Sequence, residues 1–222
     1  MSDVQIFEPE GRRIPYAEEG AGPAVILLPG QGLTVGYLGN LAHSVSEEDF
    51  RVVRIGSRRP TDGAETLEDL AQDVIDVMDA LGVDHAWVGG HGFGGSVARA
   101  VAAGHHDRVN GVLLMGVESD GHTTSSRDFP GIPERLHDDE VSDMQAAARN
   151  AAGQAVPLAE GIPVLVIQGT DDEITPPSNG EALQQSAADR VSVVPIDGAG
   201  HMFPFTHMTA TSWAIEDYLD WD

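Results

Sequence analysis

The sequence contains no cysteine and no lysine. The absence of cysteine excludes disulfide bonds, thiolate metal ligands and a cysteine nucleophile. No apolar run approaches the roughly 18 residues that cross a bilayer, and the first residues lack the basic and apolar regions of a signal peptide. We therefore expect a cytoplasmic protein without a membrane span.

Positive charge is scarce. The 12 basic residues are all arginine and face 36 acidic residues, which gives a formal net charge of -24. So acidic a surface repels phosphate backbones and anionic membranes, so we expect neither nucleic acid nor a membrane as a partner. A dense carboxylate surface is typical of proteins adapted to high salt, although an acidic protein from ordinary salt has the same composition. Both interpretations, adaptation to high salt and an acidic protein from ordinary salt, stay open.

The 222 residues, 41% hydrophobic and 5% aromatic, fit a single domain, 1–222, with a sizeable core. Apolar runs predict strands at 4–7, 13–17, 24–28, 51–55, 86–88, 109–115, 163–168 and 191–196. Helical spacing predicts helices at 37–45, 66–81, 97–103, 139–152, 179–188 and 209–219. The first two strands should form an edge hairpin. The alternation that follows predicts an α/β fold with a doubly wound, mostly parallel sheet, and residues 116–158 predict a small lid.

A strand, a glycine-rich turn and a helix meet at Gly90-His91-Gly92-Phe93-Gly94. This spacing is typical of a nucleophile elbow, in which small residues flank a strained central residue that carries the attacking atom. Here the central residue is Gly92, which has no side chain. Placing the nucleophile at His91 or Ser96 instead puts larger residues in the tight turn. Gly92 therefore fits the nucleophile position best.

The same glycines match two other motifs only in part. Gly90, Gly92 and Gly95 match a dinucleotide-binding fingerprint, but the match comes late in the fold and lacks a clear acidic residue about 20 positions on. A phosphate-binding loop would need a following Lys-Ser or Lys-Thr pair. No His, Asp or Glu spacing is typical of a metal site. We therefore predict no cofactor and no metal ion.

Three more motifs accompany the elbow. A late strand and its loop, 164–176, carry Asp172, with Asp171 as the competing carboxylate. Residues 198–201 end in His201, and residues 29–32 read Pro-Gly-Gln-Gly. With these motifs, the chain resembles the α/β-hydrolase fold family over nearly its full length. The order of elbow, acid and histidine is also that of the family.

The resemblance implies a catalytic dyad of His201 and Asp172, with Gly92 in the place of the nucleophile. It also implies oxyanion donors in the backbone N–H groups of Gln31 and Phe93. Pro29 replaces the histidine that is usual in this family's oxyanion loop.

Residues beside these positions receive weaker assignments. Gly30 and His91 are predicted to contact substrate, although a packed structural histidine is the simpler interpretation of His91. Arg58 and Arg59 could face the pocket mouth and attract an anion, but solvated arginines are the simpler interpretation.

The function that the resemblance implies is hydrolysis of a small ester or related carbonyl substrate by a bound water, because the dyad and oxyanion hole do not require a serine. Cofactor-free lyase, isomerase or oxygenase chemistry by the same dyad is an alternative. A non-catalytic ligand-binding protein, or a hydrolase inactivated by a Ser-to-Gly change, is another. The partner is a small-molecule substrate, and a homo-oligomer is left open.

Overall fold

The computed structural model describes residues 3–61, 63–119, 129 and 131–220, and in these residues eight strands form one sheet. The strands are β1 (Gln5–Phe7), β2 (Ile14–Glu19), β3 (Ala24–Leu28), β4 (Arg51–Ile55), β5 (Ala86–His91), β6 (Val109–Met115), β7 (Val164–Gly169) and β8 (Val191–Ile196). Their order is β1-β2-β4-β3-β5-β6-β7-β8. The antiparallel pairs are β1 with β2 and β2 with β4, whereas the six strands β3 to β8 run parallel to one another. The predicted α/β fold class is confirmed.

Helices cover both faces of this sheet. They are α1 (Gly39–Ser46), α2 (Leu67–Ala80), α3 (Phe93–Gly104), α4 (Asp139–Ala152), α5 (Pro177–Ser186), α6 (Phe203–Thr206) and α7 (Met208–Leu219). Alternate side chains of β3 enter different cores: Ile26 and Leu28 join the cluster of α2 and α3, and Val25 and Leu27 join that of α1 and α7. A strand buried on both faces explains the continuous apolar run at 24–28.

The start of α2 shows how local sequence fixes an element. The Thr66 hydroxyl accepts from the backbone N–H of Asp69, and the Asp69 carboxylate accepts from the N–H of Thr66. This reciprocal capping box satisfies donors that the first helical turn leaves unpaired, and losing such a cap costs about 1 kcal/mol. The helix predicted at 66–81 therefore begins where its capping residue indicated.

Two short helical segments differ from the predicted elements. The connection of the predicted hairpin is a 3-10 turn, Pro9–Gly11. The helix predicted at 37–45 is a 3-10 turn, Val35–Leu38, followed by α1. Helix α6 was not predicted, since four residues contain barely one helical period. Of the predicted lid, helix α4 has the predicted bounds, while residues 120–128 lie outside the described residues. No helix in the described ranges is both long and apolar enough to cross a membrane.

Candidate active site

The elbow between β5 and α3 has the backbone geometry of a nucleophile turn. Gly92 adopts φ +50° and ψ -110°, and α3 begins at the next residue, Phe93. A Cβ on Gly90 would collide with the backbone of Gly94, and a Cβ on Gly94 would collide with the carbonyl of Leu28. The two flanking glycines thus let strand and helix approach closely. The first N–H groups of α3, which have no acceptor within the helix, lie at this turn.

Gly92 lies directly in front of His201. A Cβ built on Gly92 would stand 3.7 Å from Nε2 and 3.7 Å from Cε1 of the His201 ring. These are ordinary contact distances, so a serine hydroxyl at this position could reach Nε2 by a hydrogen bond. The space that a nucleophile would fill is therefore bordered by the imidazole.

Asp172 anchors the other side of the imidazole. It follows β7, its side chain is fully buried, and Oδ2 lies 3.0 Å from His201 Nδ1. Burial alone would raise the pKa of Asp172, but hydrogen bonds from His201 and Thr175 and the attraction of His201 hold that pKa below its ordinary value. An ionised Asp172 accepts the Nδ1 proton, so neutral His201 carries its lone pair on Nε2, the atom that faces Gly92.

Three further donors fix the Asp172 carboxylate. Oδ1 accepts from the backbone N–H groups of Ile174 (2.9 Å) and Thr175 (2.8 Å), and Oδ2 accepts from the Thr175 hydroxyl (2.6 Å). The competing carboxylate, Asp171, is exposed and lies 3.5 Å from the Thr170 hydroxyl. The structure thus places Asp172, and not Asp171, against His201.

His91 packs behind this pair. It is 1% exposed, its ring lies 4.5 Å from the His201 ring, and its Nε2–H donates to the backbone carbonyl of His201 at 2.9 Å. Burial, and then the proximity of His201, lower the pKa of His91 to about 3. His91 Nδ1 is therefore an unprotonated acceptor at neutral pH. It has no partner among the described residues and lies 2.8 Å from where a Cβ on Gly30 would stand.

The loop after β3 that carries the predicted oxyanion donor Gln31 is held by one face of α4. Gln31 Nε2 donates to the carbonyl of Ser142 (3.2 Å), Arg149 Nη1 donates to Gln31 Oε1 (2.8 Å), and the N–H of Gly32 donates to Gln145 Oε1 (2.8 Å). The three α4 residues are spaced by three and four positions, which places them on one side of the helix. Helix α4 therefore fixes the position of this loop.

A cavity of about 20 Å³ lies beside His201, and we call it the histidine cavity. Its described walls include five of the seven predicted site residues: Gly30, Gln31, His91, Phe93 and His201. The other two, Gly92 and Asp172, are the immediate neighbours of the imidazole described above. A volume of this size holds about one water molecule.

Sequence reasoning missed two charged side chains of this cavity. Glu118, just after β6, and Arg149, on α4, form an ion pair of 2.7 Å with side chains 9% and 12% exposed. The Arg149 guanidinium also lies 5.3 Å from the centre of the Phe93 ring. Neither residue belongs to a motif. The apolar spacing of α4 was the available signal, and it does not reveal what its polar face contacts.

Arg58 is not where it was predicted to be. Its guanidinium is bound by the buried carboxylate of Asp73 through two hydrogen bonds, of 2.6 and 2.7 Å, so it lies neither at the pocket mouth nor in solvent. Arg59 is half-exposed and pairs with Asp138 and Glu140. A buried acidic partner on α2, 15 residues away in sequence, decides the position of Arg58.

Within the described ranges, no three His, Asp or Glu side chains cluster in an arrangement that could hold a metal ion. The polar groups that meet at His201 are instead an imidazole, a buried carboxylate, backbone N–H groups and a neutral second histidine. This set can move protons and stabilise an oxyanion.

The fold is that of the α/β-hydrolase family. A family model described as alpha/beta hydrolase fold matches residues 23–156, which are 134 of the 222 residues, and the chain belongs to that family. A second family model, described as TAP-like protein, matches residues 140–221.

The curated relatives include hydrolases, haloalkane dehalogenases and a putative non-heme haloperoxidase. The chain is 40% identical over 60 residues to a 2-hydroxymuconate semialdehyde hydrolase of Pseudomonas putida, covering 27% of this chain and 21% of the relative. It is 32% identical over 114 residues to haloalkane dehalogenase 2 of Mycobacterium tuberculosis, covering 49% and 40%. The chain thus spans less than half the length of these relatives. The structure of a thermophilic esterase from Thermogutta terrifontis superimposes with a TM-score of 0.82 at 21% identity, covering 99% of this chain and 98% of that one.

Proposed function

We propose that the protein hydrolyses a small ester or related carbonyl substrate with a His201–Asp172 dyad and a bound water in place of a serine nucleophile. The observation that carries the proposal is the position of Gly92. Its missing side chain leaves the space 3.7 Å from His201 Nε2 open to a water, on the side of the imidazole opposite Asp172.

The chemistry follows from the geometry. His201 Nε2 removes a proton from the water as its oxygen bonds to the substrate carbonyl carbon, and Asp172 stabilises the imidazolium that forms. The carbonyl π electrons move to oxygen, where backbone N–H groups of Gln31 and Phe93 bind the oxyanion. The carbonyl then re-forms, the leaving group departs, and His201 returns the proton to it. Water is consumed, and an acid and an alcohol or amine are released.

His91 supports this proposal through its charge state. With a pKa of about 3 it stays neutral at neutral pH, so it does not add a positive charge beside His201 that would oppose proton uptake. Its Nδ1 acceptor borders the wall formed by Gly30. A water needs two to four polar partners to stay ordered in a cavity, and Nε2 of His201 supplies one of them.

Pre-steady-state kinetics with an activated short-chain ester tests the proposal. Direct attack by water forms no covalent intermediate, so the natural protein should release alcohol without a burst. Gly92→Ser should show a burst of about one equivalent per site, because a serine there can form an acyl-enzyme. His201→Ala in each background is the control, and it should slow both reactions by about 10²- to 10⁴-fold.

Turnover by Gly92→Ser alone would overturn the proposal, since a site that hydrolyses the ester only with a serine does not use direct attack by water. A burst with the natural protein would overturn it as well, because it would reveal another nucleophile in the chain. The burst experiment should be run on the natural protein and on Gly92→Ser in high and in low salt.

We also propose that the protein is adapted to high salt. The support is the net charge of -24 and the complete replacement of lysine by arginine. Salt screens repulsion between carboxylates, so the free energy of unfolding should rise as KCl is increased from 0.1 M to 2 M. A free energy of unfolding that is unchanged across this range would contradict the proposal.

A further inference from the structure

The part of the histidine cavity that the described residues line is small. Its volume of about 20 Å³ accommodates a water or a carbonyl group, so a larger substrate extends beyond it. A second pocket of about 100 Å³, which we call the outer pocket, has Glu118 and Arg149 in its wall together with Ser96, Asn150 and Gln154. The histidine cavity is lined by the same Glu118 and Arg149. The two spaces therefore adjoin at this ion pair, whose side chains line both of them.

Three elements hold this ion pair in place. Arg149, on α4, donates from Nε to Glu118 Oε2 (3.1 Å) and lies with Nη2 at 2.7 Å from Oε1. The hydroxyl of Ser96, on α3, donates to Glu118 Oε2 at 2.8 Å. Arg149 Nη1 also donates to Gln31 Oε1. The pair is thus rigidly built, and it connects the outer pocket to the loop of the predicted oxyanion donor.

The wall has both signs of charge and no net charge. Described acceptors take three of the five guanidinium N–H groups, which leaves two donors, and Glu118 Oε1 retains a lone pair. An anionic group near this wall would meet Glu118, and a cationic group would meet Arg149. A neutral group with a donor and an acceptor, such as a carboxamide or a urea, can bond to both without facing a like charge. The net charge of -24 further disfavours an anionic ligand.

We propose that the outer pocket binds the distal end of the substrate, and that this end is a neutral carboxamide-type group recognised by Glu118 and Arg149. The inference rests on the proposed function, because it names the substrate class of the same site: small, uncharged acyl compounds that carry an amide or urea group away from the reacting carbonyl. Arg149 and Glu118 then determine specificity, and His201 carries the chemistry.

Three probes of matched size test the charge preference: propionamide, propionate and n-propylammonium, each titrated by NMR without any reaction. The natural protein should bind propionamide about tenfold more tightly than either ion, as expected for one hydrogen bond to a charged group. Arg149→Met leaves Glu118 unmatched and should shift the preference to n-propylammonium. Glu118→Gln leaves Arg149 unmatched and should shift it to propionate.

The double variant, Glu118→Gln with Arg149→Met, should restore the preference for propionamide, because the wall is neutral again. This reversal keeps the test decisive even if one single variant folds poorly. Glu134→Gln and Arg135→Met, which change the same charges at exposed positions, are the matched controls and should bind as the natural protein does.

Failure of this inference and failure of the proposed function are separable. Tightest binding of an ion by the natural protein, or preferences that do not reverse in the single variants, would overturn the assignment of the outer pocket. Ester hydrolysis lost with His201→Ala would leave the proposed function standing in that case. Hydrolysis unaffected by His201→Ala, with the predicted binding order intact, would instead overturn the mechanism and leave the binding site.

Discussion

The two sides of the space in front of His201 Nε2 are built differently. On one side, the loops after β7 and β8 bring together Asp172, Thr175 and His201 in a closed set of hydrogen bonds. On the other side, the elbow after β5 contributes backbone only, because Gly92 has no side chain. The acid and histidine side thus presents an imidazole bonded to a carboxylate, whereas the elbow presents open space where a side chain would stand.

The comparison also concerns strain. A non-glycine residue held at φ +50° costs on the order of 1–3 kcal/mol, whereas glycine adopts this conformation readily. The elbow therefore keeps the turn that presents a nucleophile without the energetic penalty of holding one there. If the space beside Gly92 holds the attacking water, activity should require both His201 and that space.

The largest effect should come from the dyad. His201→Ala removes the only base proposed for the water, and general-base catalysis is typically worth about 10² to 10⁴ in rate. We expect kcat/KM for an activated ester to fall by about that factor. His85→Ala, which removes an exposed histidine, is the control and should retain full activity. A loss below about tenfold would show that another group activates the nucleophile.

Filling the space tests the other side. Gly92→Ala places a methyl group 3.7 Å from the His201 ring and should reduce kcat/KM by about 10- to 100-fold, because the water is displaced. The variant should also lose about 1–3 kcal/mol of unfolding free energy, measured by denaturant titration.

Gly82→Ala is the matched control. Gly82 also has a positive φ, +64°, and a Cβ there would meet nothing within 4 Å, so an alanine at this position is strained in open space. It should lose stability without losing activity. If Gly92→Ala behaves in the same way, the attacking water does not occupy the Gly92 space.

The parts of this site that could be predicted are those fixed by local sequence. Buried parallel strands give continuous apolar runs, and β3, β4, β6 and β8 have the predicted bounds. The elbow could be located because only very small residues fit its turn. Asp172 and His201 were implied by the resemblance of their loops to those of the α/β-hydrolase fold family, and each loop follows a recognisable strand.

What could not be predicted depends on contacts between distant segments. The spacing of α4 predicts a helix, but not that Gln145 and Arg149 reach the loop after β3. Glu118 follows a strand without any motif, and its partner lies 31 residues later. Arg58 was misplaced for the same reason, because nothing near it in sequence reveals the buried Asp73.

A smaller effect should appear in the pH dependence of stability. The pKa of His91 is about 3 when folded and 6.5 when exposed to water, so the unfolded chain binds a proton that the folded protein does not. Its stabilising contribution is complete above pH 6.5 and decreases by about 1.4 kcal/mol per pH unit as the pH falls toward 3. We therefore expect about 1.4 kcal/mol to be lost by pH 5.5.

His91→Gln should remove this component, giving a flatter curve of unfolding free energy between pH 7 and 5, whatever its stability at neutral pH. Chemical denaturation at each pH measures it, and His85→Gln controls for the loss of a surface histidine. The neighbouring groups His201, Asp172 and Tyr37 are retained in both variants. An equally steep curve in the His91 variant would mean that His91 is not the group that titrates.

The smallest effect should come from Thr175, whose hydroxyl donates one of the four hydrogen bonds to Asp172. Thr175→Val keeps the shape and the backbone donor but removes the hydroxyl, so the pKa of Asp172 should rise and kcat/KM should fall by about three- to tenfold. The acid limb of the pH-rate profile should move to higher pH.

Thr66→Val, which removes the cap of α2 at a similar cost in stability, should leave the profile unchanged. A shifted profile in both variants would attribute the change to lost stability, whereas a shift in Thr175→Val alone would show that the contacts of the Thr175 hydroxyl with Asp172 and His201 tune the site.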